Sequence, residues 1–377
     1  MALTPLDAER LDEAIALAQQ AIGLSDPNPR VGCVIGREDG TVLGRGSTQR
    51  AGEGHAEVMA LRDAAGADLR GATAWVSLEP CSHHGRTPPC CDALVAAGIA
   101  RVVAAIADPN PRVGGQGLQR LRAAGLRVET GDPDHAQAAR ELNIGFFARH
   151  ERGRPWLRLK AAASLDGRTA LEDGTSQWIT GPEARADGHA WRRRAGAVVT
   201  GIGTVLQDDP RLDVRLVETA LQPLRVVVDS SLRTPPRARL LSPPGRVLVV
   251  TGTDTGEAAA RLREAGAEVL VLAGHQGRVD LHGLVAELGR REVNEVHLEA
   301  GAVLGGAFLQ AGLVDELLIY QAPMLIGPGR GVVTWPALQA LDAALGFEWV
   351  GQDRVGTDLR LRLRATGPRD GSPRRKH

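Results

Sequence analysis

Two short stretches concentrate side chains able to hold a metal ion and to move protons. Gly52–Leu61 reads GEGHAEVMAL and contains His55-Ala56-Glu57. Twenty-six residues after His55 comes Cys81, in the stretch EPCSHHGRTPPCC that also holds Cys90. One imidazole and two thiolates give zinc (Zn2+) three protein ligands. The open fourth position is the mark of a catalytic site rather than a closed structural one. Zinc lowers the pKa of a water at that position to about 7. A carboxylate that is not a ligand must then take the water's proton and pass it to a substrate nitrogen and a leaving amine. Glu57 is the candidate for that catalytic role.

This is the chemistry of the zinc nucleobase deaminases, which pair H-x-E with P-C-x-x-C. Here eight residues separate the cysteines instead of two. Pro88 and Pro89 stiffen the end of the longer loop, and Cys90 is placed to open a helix, where the N-terminal dipole favours thiolate. His55 likewise precedes a helix. Cys91 should point elsewhere and pack, and Cys33, in the apolar run VGCVI, reads as core. His83 and His84 lie in the metal loop; substrate contact and loop stabilisation explain them equally well.

The elements that position these residues follow from periodicity. Apolar positions at 11, 15, 18 and 22 predict a helix over 7–22. Strands at 31–35 and 41–43 flank Asp39-Gly40, a hairpin signal. A helix at 56–65, a strand at 72–78, a helix at 91–97 and a strand at 101–107 follow. A final helix at 117–124 and strand at 128–129 complete the order β-β-α-β-α-β-α-β. That order implies a layered α/β domain over 1–148. The polar HERGRP segment at 150–155 is the expected junction. A second α/β series then covers 154–366. Its expected strands lie at 156–161, 197–200, 224–229, 246–251, 268–272, 295–299 and 316–321. Its expected helices lie at 182–195, 257–265, 281–288 and 304–311. The polar tail 367–377 reads as disordered.

Bulk composition narrows the function classes. The 377 residues carry a formal net charge of zero and 3% aromatic residues. Neither favours a nucleic-acid partner, which would select a basic face and stacking rings. No apolar run is long enough for a membrane span, and the acidic, amphipathic N-terminus is not a secretory signal. Four cysteines are too few for a disulfide scaffold and suit metal binding in a reducing cytoplasm. Lys160 and Lys376 are the sole lysines among 45 basic residues. Retention of Lys160 in a strand hints at a specific role, against the plainer reading of a snorkelling surface lysine.

In the second half, Glu299–Gly306 (EAGAVLGG) turns from strand to helix, a place where backbone N–H groups can receive phosphate. It is not G-x-G-x-x-G, and a tight turn needing glycine explains it as well.

Taken together, Pro27–Gly36 (PNPRVGCVIG), H-A-E and Leu78–Cys90 (LEPCSHHGRTPPC) resemble the deaminase half of the bifunctional riboflavin-biosynthesis family. The long cysteine spacing is itself a mark of that family. The segments SLDGRTA, SQWIT, DDPRLDVR and AGLVDEL resemble its reductase half, with a fold similar to dihydrofolate reductase. The resemblance covers most of 1–328. It implies a cytidine-deaminase-like layered domain followed by a dihydrofolate-reductase-like α/β domain.

The implied first reaction is deamination of a phosphoribosyl diaminopyrimidine. The implied second is NADPH-dependent reduction of its ribosyl group to ribityl. In the deaminase, the resemblance implies that Asn28, Arg86 and Thr87 hold substrate. In the reductase it implies NADPH contacts at Ala162, Trp178, Thr204, Asp208 and the turn Gly301, Ala302, Val303, Leu304, Gly305, Gly306 and Ala307. Substrate contacts are implied at Ser176, Arg192, Leu212, Arg215 and Glu299, with Lys160 near the reacting sugar. Arg192 and Arg215 suit a phosphate, which guanidinium binds through paired hydrogen bonds. The chain departs from the family at Thr48, where a histidine is common, and at Met324, where a lysine is common. The implied partner is this small molecule; a homo-oligomer is left open. Two other readings are a nucleic-acid base editor and a non-enzymatic nucleotide-binding regulator with structural zinc.

Overall fold

The computed structural model describes residues 3–83, 88–111, 113–253 and 256–366. Two compact units emerge, 1–153 and 154–377.

The first unit contains α1 (Pro5–Ala18), β1 (Gly32–Gly36), β2 (Val42–Ser47), α2 (Ala56–Asp63), β3 (Thr73–Val76) and α3 (Cys90–Ala96). It continues with β4 (Arg101–Ala104), α4 (Gln116–Ala123), β5 (Arg127–Thr130), α5 (Pro133–Leu142) and α6 (Ile144–Arg152). Thr4 starts α1 through a capping box with Asp7, which satisfies orphan N–H groups at the helix start. The sheet order is β2-β1-β3-β4-β5. Strand alternation sends Val34, Trp75 and Val103 to a core shared with Leu11, Ala14 and Ala139. Cys33, Ile35, Val76 and Val102 face the opposite core, with Ala56, Ala60 and Leu94. The result is the expected layered α/β domain. Helices α5 and α6 were not expected; α6 runs through Arg152 and so takes in half of the HERGRP segment.

The second unit contains β6 (Trp156–Ala163), β7 (Arg168–Leu171), α7 (Pro182–Arg194), β8 (Ala197–Gly201), α8 (Ile202–Asp208), β9 (Leu224–Val228), β10 (Val247–Thr251) and α9 (Glu257–Glu264). Then come β11 (Glu268–Val271), α10 (Leu281–Arg290), β12 (Glu295–Leu298), α11 (Ala302–Gln310), β13 (Glu316–Gln321), β14 (Gly329–Gly331), β15 (Phe347–Val355) and β16 (Asp358–Ala365). Nine strands form one sheet in the order β11-β10-β9-β8-β12-β6-β13-β16-β15. It is parallel as far as β13, after which β16 and β15 join antiparallel. One face is apolar, with Leu157, Val199, Val226 and Leu298 meeting Leu284, Leu288 and Phe308. Over β6, β12, β13 and β16 the other face is charged, described below. The tail 367–377, expected to be disordered, lies outside the described residues. Among the described residues no helix is long and apolar enough to cross a membrane.

Candidate active sites

Close packing fixes the start of α2. A Cβ on Gly46 of β2 would lie 2.2 Å from the carbonyl oxygen of Ala56, so only glycine lets the helix approach. His55 occupies the N-cap position of α2 without a side-chain cap bond. Its Nδ1 turns instead to the sulfurs, 3.6 Å from Cys81 Sγ and 3.4 Å from Cys90 Sγ. Cys90 opens α3, and its backbone N–H donates to Cys81 Sγ at 3.3 Å. The three ligand atoms lie within 4.8 Å of one another. Zinc arms of about 2.3 Å to sulfur and about 2.0 Å to nitrogen, at a tetrahedral angle, separate sulfur from nitrogen by about 3.5 Å. The nitrogen–sulfur distances fit that figure.

The electrostatics fit as well. The Cys81 thiol is held down to about 4, chiefly by the Cys90 thiol donating to it, with His55 and the Cys90 N–H assisting. Cys90 is pushed up in turn by the shared proton and by burial. Sulfurs this close hold one negative charge readily and a second only beside a cation, so the donor set suits a dication. Glu57 is 3% exposed. Burial, then repulsion from Cys81, pushes its carboxyl up to about 7. That value suits a group that must both take and give a proton near neutrality.

Glu79 is a residue that motif reading passed over. It is buried, and its carboxylate accepts backbone N–H groups from Asp108 (3.0 Å), Gly115 (2.9 Å), Gly117 (2.8 Å) and Leu118 (3.2 Å). Helix α4 begins at a glycine with no capping side chain of its own; Glu79 caps it from the segment leading to Cys81. The Asp108 turn is thereby held beside the metal corner. Burial, then Glu79 and Cys81, pushes the Asp108 carboxyl up to about 6. The available signal was a helix start, V-G-G-Q-G, lacking any cap residue.

Asn28 sits in a turn closed by its N–H to the Ser25 carbonyl, 2.9 Å. Thr48 is buried, with its hydroxyl 3.3 Å from the Val31 N–H, so it serves the entry to β1. Arg86 and Thr87, with His84, lie outside the described residues.

In the second unit the candidates gather at the C-terminal ends of the parallel strands, where α/β sheets bind ligands. Arg192 of α7 forms a two-pronged ion pair with Glu299, its Nη2 2.8 Å from Oε2, and donates to the Asp213 carbonyl at 3.0 Å. Burial would raise the Glu299 carboxyl, but the charge and hydrogen bonds of Arg192, with His297 adding to them, together hold it well below the carboxylate range. Lys160 is partly buried; burial pushes its ammonium down, with Glu299 opposing and Arg192 assisting. Arg215 pairs with Asp213 at 2.7 Å, and its N–H donates to His189 Nδ1 at 3.2 Å. Leu212, in the same turn, is buried with φ of +53°, a left-handed conformation costly outside glycine.

Among the expected cofactor contacts, α8 and α11 start from neighbouring regions of the sheet. A Cβ on Gly301 would come 3.8 Å from Thr204 Oγ1. Gly301 is the N-cap of α11 and brings no side-chain cap. Val303 is 75% exposed in the first turn. Gly306 has a packing reason: its Cβ would strike the Thr334 carbonyl at 2.2 Å. Asp208 ends α8, its carboxyl pushed up by burial against the pull of Arg330. Trp178 is 66% exposed with Arg185 stacked 4.6 Å from its ring centre. Ser176 is partly buried two residues before it, and Ala162 lies opposite Tyr320 in the β6–β13 register.

Comparison with known proteins agrees with both halves. The family described as "Cytidine and deoxycytidylate deaminase zinc-binding region" matches residues 6–106, and the "RibD C-terminal domain" matches 155–361. The riboflavin biosynthesis protein RibD of Escherichia coli is 47% identical, over 95% of this chain and 99% of that protein. The RibD protein of Aquifex aeolicus is 40% identical over 94% and 97%. A solved RibD structure from Acinetobacter baumannii superposes with a TM-score of 0.87 at 41% identity, covering 96% of this chain and 99% of that one. A Thermotoga maritima structure, titled a diaminohydroxyphosphoribosylaminopyrimidine deaminase/5-amino-6-(5-phosphoribosylamino)uracil reductase, gives 0.85 at 31%, covering 96% and 99%. With both halves matched and relatives this similar along nearly the whole chain, the protein belongs to the RibD family and is a bifunctional deaminase and reductase of riboflavin biosynthesis.

Proposed function

We propose that the domain over 1–148 deaminates 2,5-diamino-6-(5-phosphoribosylamino)pyrimidin-4(3H)-one, and that the domain over 154–366 reduces the product with NADPH. The names of the relatives support this pair of substrates. The carrying observation is the triangle of His55 Nδ1, Cys81 Sγ and Cys90 Sγ beside the buried Glu57 carboxyl.

His55, Cys81 and Cys90 would hold zinc. Bound there, zinc supplies the Lewis acidity that makes a water nucleophilic near neutral pH. Glu57 takes a proton from the attacking water and hands it to the ring nitrogen, then takes the remaining proton of the added oxygen and gives it to the amine, which leaves as ammonia as the carbonyl forms. Oxygen from water replaces that nitrogen. Asn28, Arg86 and Thr87 hold the pyrimidine and its phosphate.

In the reductase, bound NADPH would supply a hydride to the sugar C1 of the ring-opened imine, and a proton from solvent would go to the nitrogen. Thr204, Asp208, Trp178, Ala162 and the Gly301–Ala307 turn bind the cofactor. Arg215 and Arg192 face the substrate phosphate, and Ser176, Leu212 and Glu299 orient the sugar. Lys160 holds positive charge near the reacting carbon. The chain works on a small molecule in the cytoplasm.

Incubating the protein with the diaminopyrimidine phosphate, with and without NADPH, tests the whole reading by product mass. Without NADPH the amine should be exchanged for oxygen. With it the product should gain two further hydrogens. Reduction of the undeaminated substrate would overturn the order of steps.

A further inference from the structure

Tyr320 is the single tyrosine of the chain and is fully buried near the end of β13. In the parallel register of β13 with β6, Tyr320 stands opposite Ala162, and Leu318 opposite Lys160. That register puts Tyr320 diagonally across from Lys160. Lys160 Nζ sits 5.7 Å from the ring centre, within reach of the attraction between a cation and an aromatic face.

The far end of the ring is fixed. Tyr320 Oη donates to Asp187 Oδ2 at 2.6 Å, and Asp187 accepts from Arg360 at 2.9 Å. Arg360 also pairs with Asp353 at 2.8 Å. Helix α7 thus supplies a group to each of the two strands that flank β6. Asp187 orients the ring, and Arg192, a turn further on, ties down Glu299. The groups facing Lys160 are therefore Tyr320 from β13, Glu299 after β12, and Arg192 from α7.

We infer that Tyr320 is a positioning residue for the reductase, its ring face holding the Lys160 ammonium at the site while Asp187 and Arg360 hold the ring. The inference rests on Lys160 being a reductase-site residue, yet the contact can be tested apart from that role. A buried tyrosine kept only for packing would be indifferent to the charge on Lys160. One kept to seat a cation would not.

Protein labelled with 13Cε-lysine carries two such side chains, Lys160 and Lys376, and Lys160→Met assigns the signals. Removing the ring face removes a contact that favours the ammonium. In Tyr320→Leu the Lys160 titration midpoint should therefore fall by roughly 0.5 to 1 pH unit. Tyr320→Phe keeps the ring and should restore most of it. An unchanged midpoint in Tyr320→Leu overturns the inference. Should that variant not fold, the wild-type nuclear Overhauser effect decides: Tyr320 ring protons should show a cross-peak to the Lys160 ε-methylene, and its absence overturns the inference. Full reduction by Lys160→Met would instead sink the role given to Lys160, while the midpoint result would stand.

Discussion

In the first unit three ligand atoms crowd into one corner, two of them sulfurs that share a proton. In the second, the sheet face over β6, β12, β13 and β16 carries paired charges, while over β9 and β10 the same face is apolar, with Val227, Val247 and Val249 buried. Fully buried Arg158 lies between Glu316 (2.8 Å) and Glu295 (3.0 Å). Arg362 adds to Glu316 at 3.0 Å and Arg194 to Glu295 at 2.8 Å. The Trp191 ring lies 4.4 Å from the Arg158 guanidinium. Two thiolates in that corner would need a cation beside them, whereas carboxylates already paired with guanidinium groups stand on their own. The ladder ends at the Arg192–Glu299 pair, with Lys160 beside it.

The difference can be broken from either side. The largest effect is expected from Glu57→Gln, which should cut deamination roughly 100- to 10,000-fold and leave reduction of supplied product intact. Ammonia release and NADPH oxidation, measured separately, check it; retained deamination would refute the proton role. Next, Arg158→Met removes the buried cation between Glu295 and Glu316, leaving Arg194 on the one and Arg362 on the other. The second unit should lose about 3–5 kcal/mol, seen as an earlier denaturant transition, while the first keeps its own midpoint.

Arg215→Ala should have a smaller effect. Losing one charged hydrogen-bond donor to phosphate costs about 1.5–3 kcal/mol. That should raise the KM of the reductase substrate and leave NADPH affinity unchanged; equal loss of both would count against the assignment.

The smallest effect concerns pH. Burial first, then Arg192 and Arg215, holds His189 down to about 4, below its ordinary 6.5. Its Nδ1 accepts the Arg215 N–H, so the folded state requires the neutral ring. A histidine with a depressed value binds its proton more readily when unfolded. Its contribution is thus complete above about 6.5 and is lost as pH falls toward 4. Thermal melts of the second unit between pH 7 and 5 should slope less in His189→Gln.

The two sites were unequally readable in the sequence. The metal corner was legible because its ligands fall within short motifs, His55 and Cys90 at the starts of α2 and α3 and Cys81 in the segment leading to α3. The Nδ1 choice of His55 was not, since it depends on how far β2 lets α2 approach. The charged ladder joins residues 137 and 158 positions apart, and local periodicity carries no trace of such pairs. The β15–β16 hairpin was passed over although LRLRLRA alternates strictly. Nothing local in that run shows that Arg362 turns inward to Glu316. Helices α5 and α6 were missed despite Asp132-Pro133, a cap followed by proline in the first turn.

X-ray absorption at the zinc edge, on protein purified without added metal, bears most directly on the shared-ion account. One zinc per chain should appear, with two sulfurs near about 2.3 Å and one imidazole nitrogen near about 2.0 Å, and Cys81→Ser should lose it. A zinc-free protein that still releases ammonia, or a shell of four sulfurs, would contradict the account.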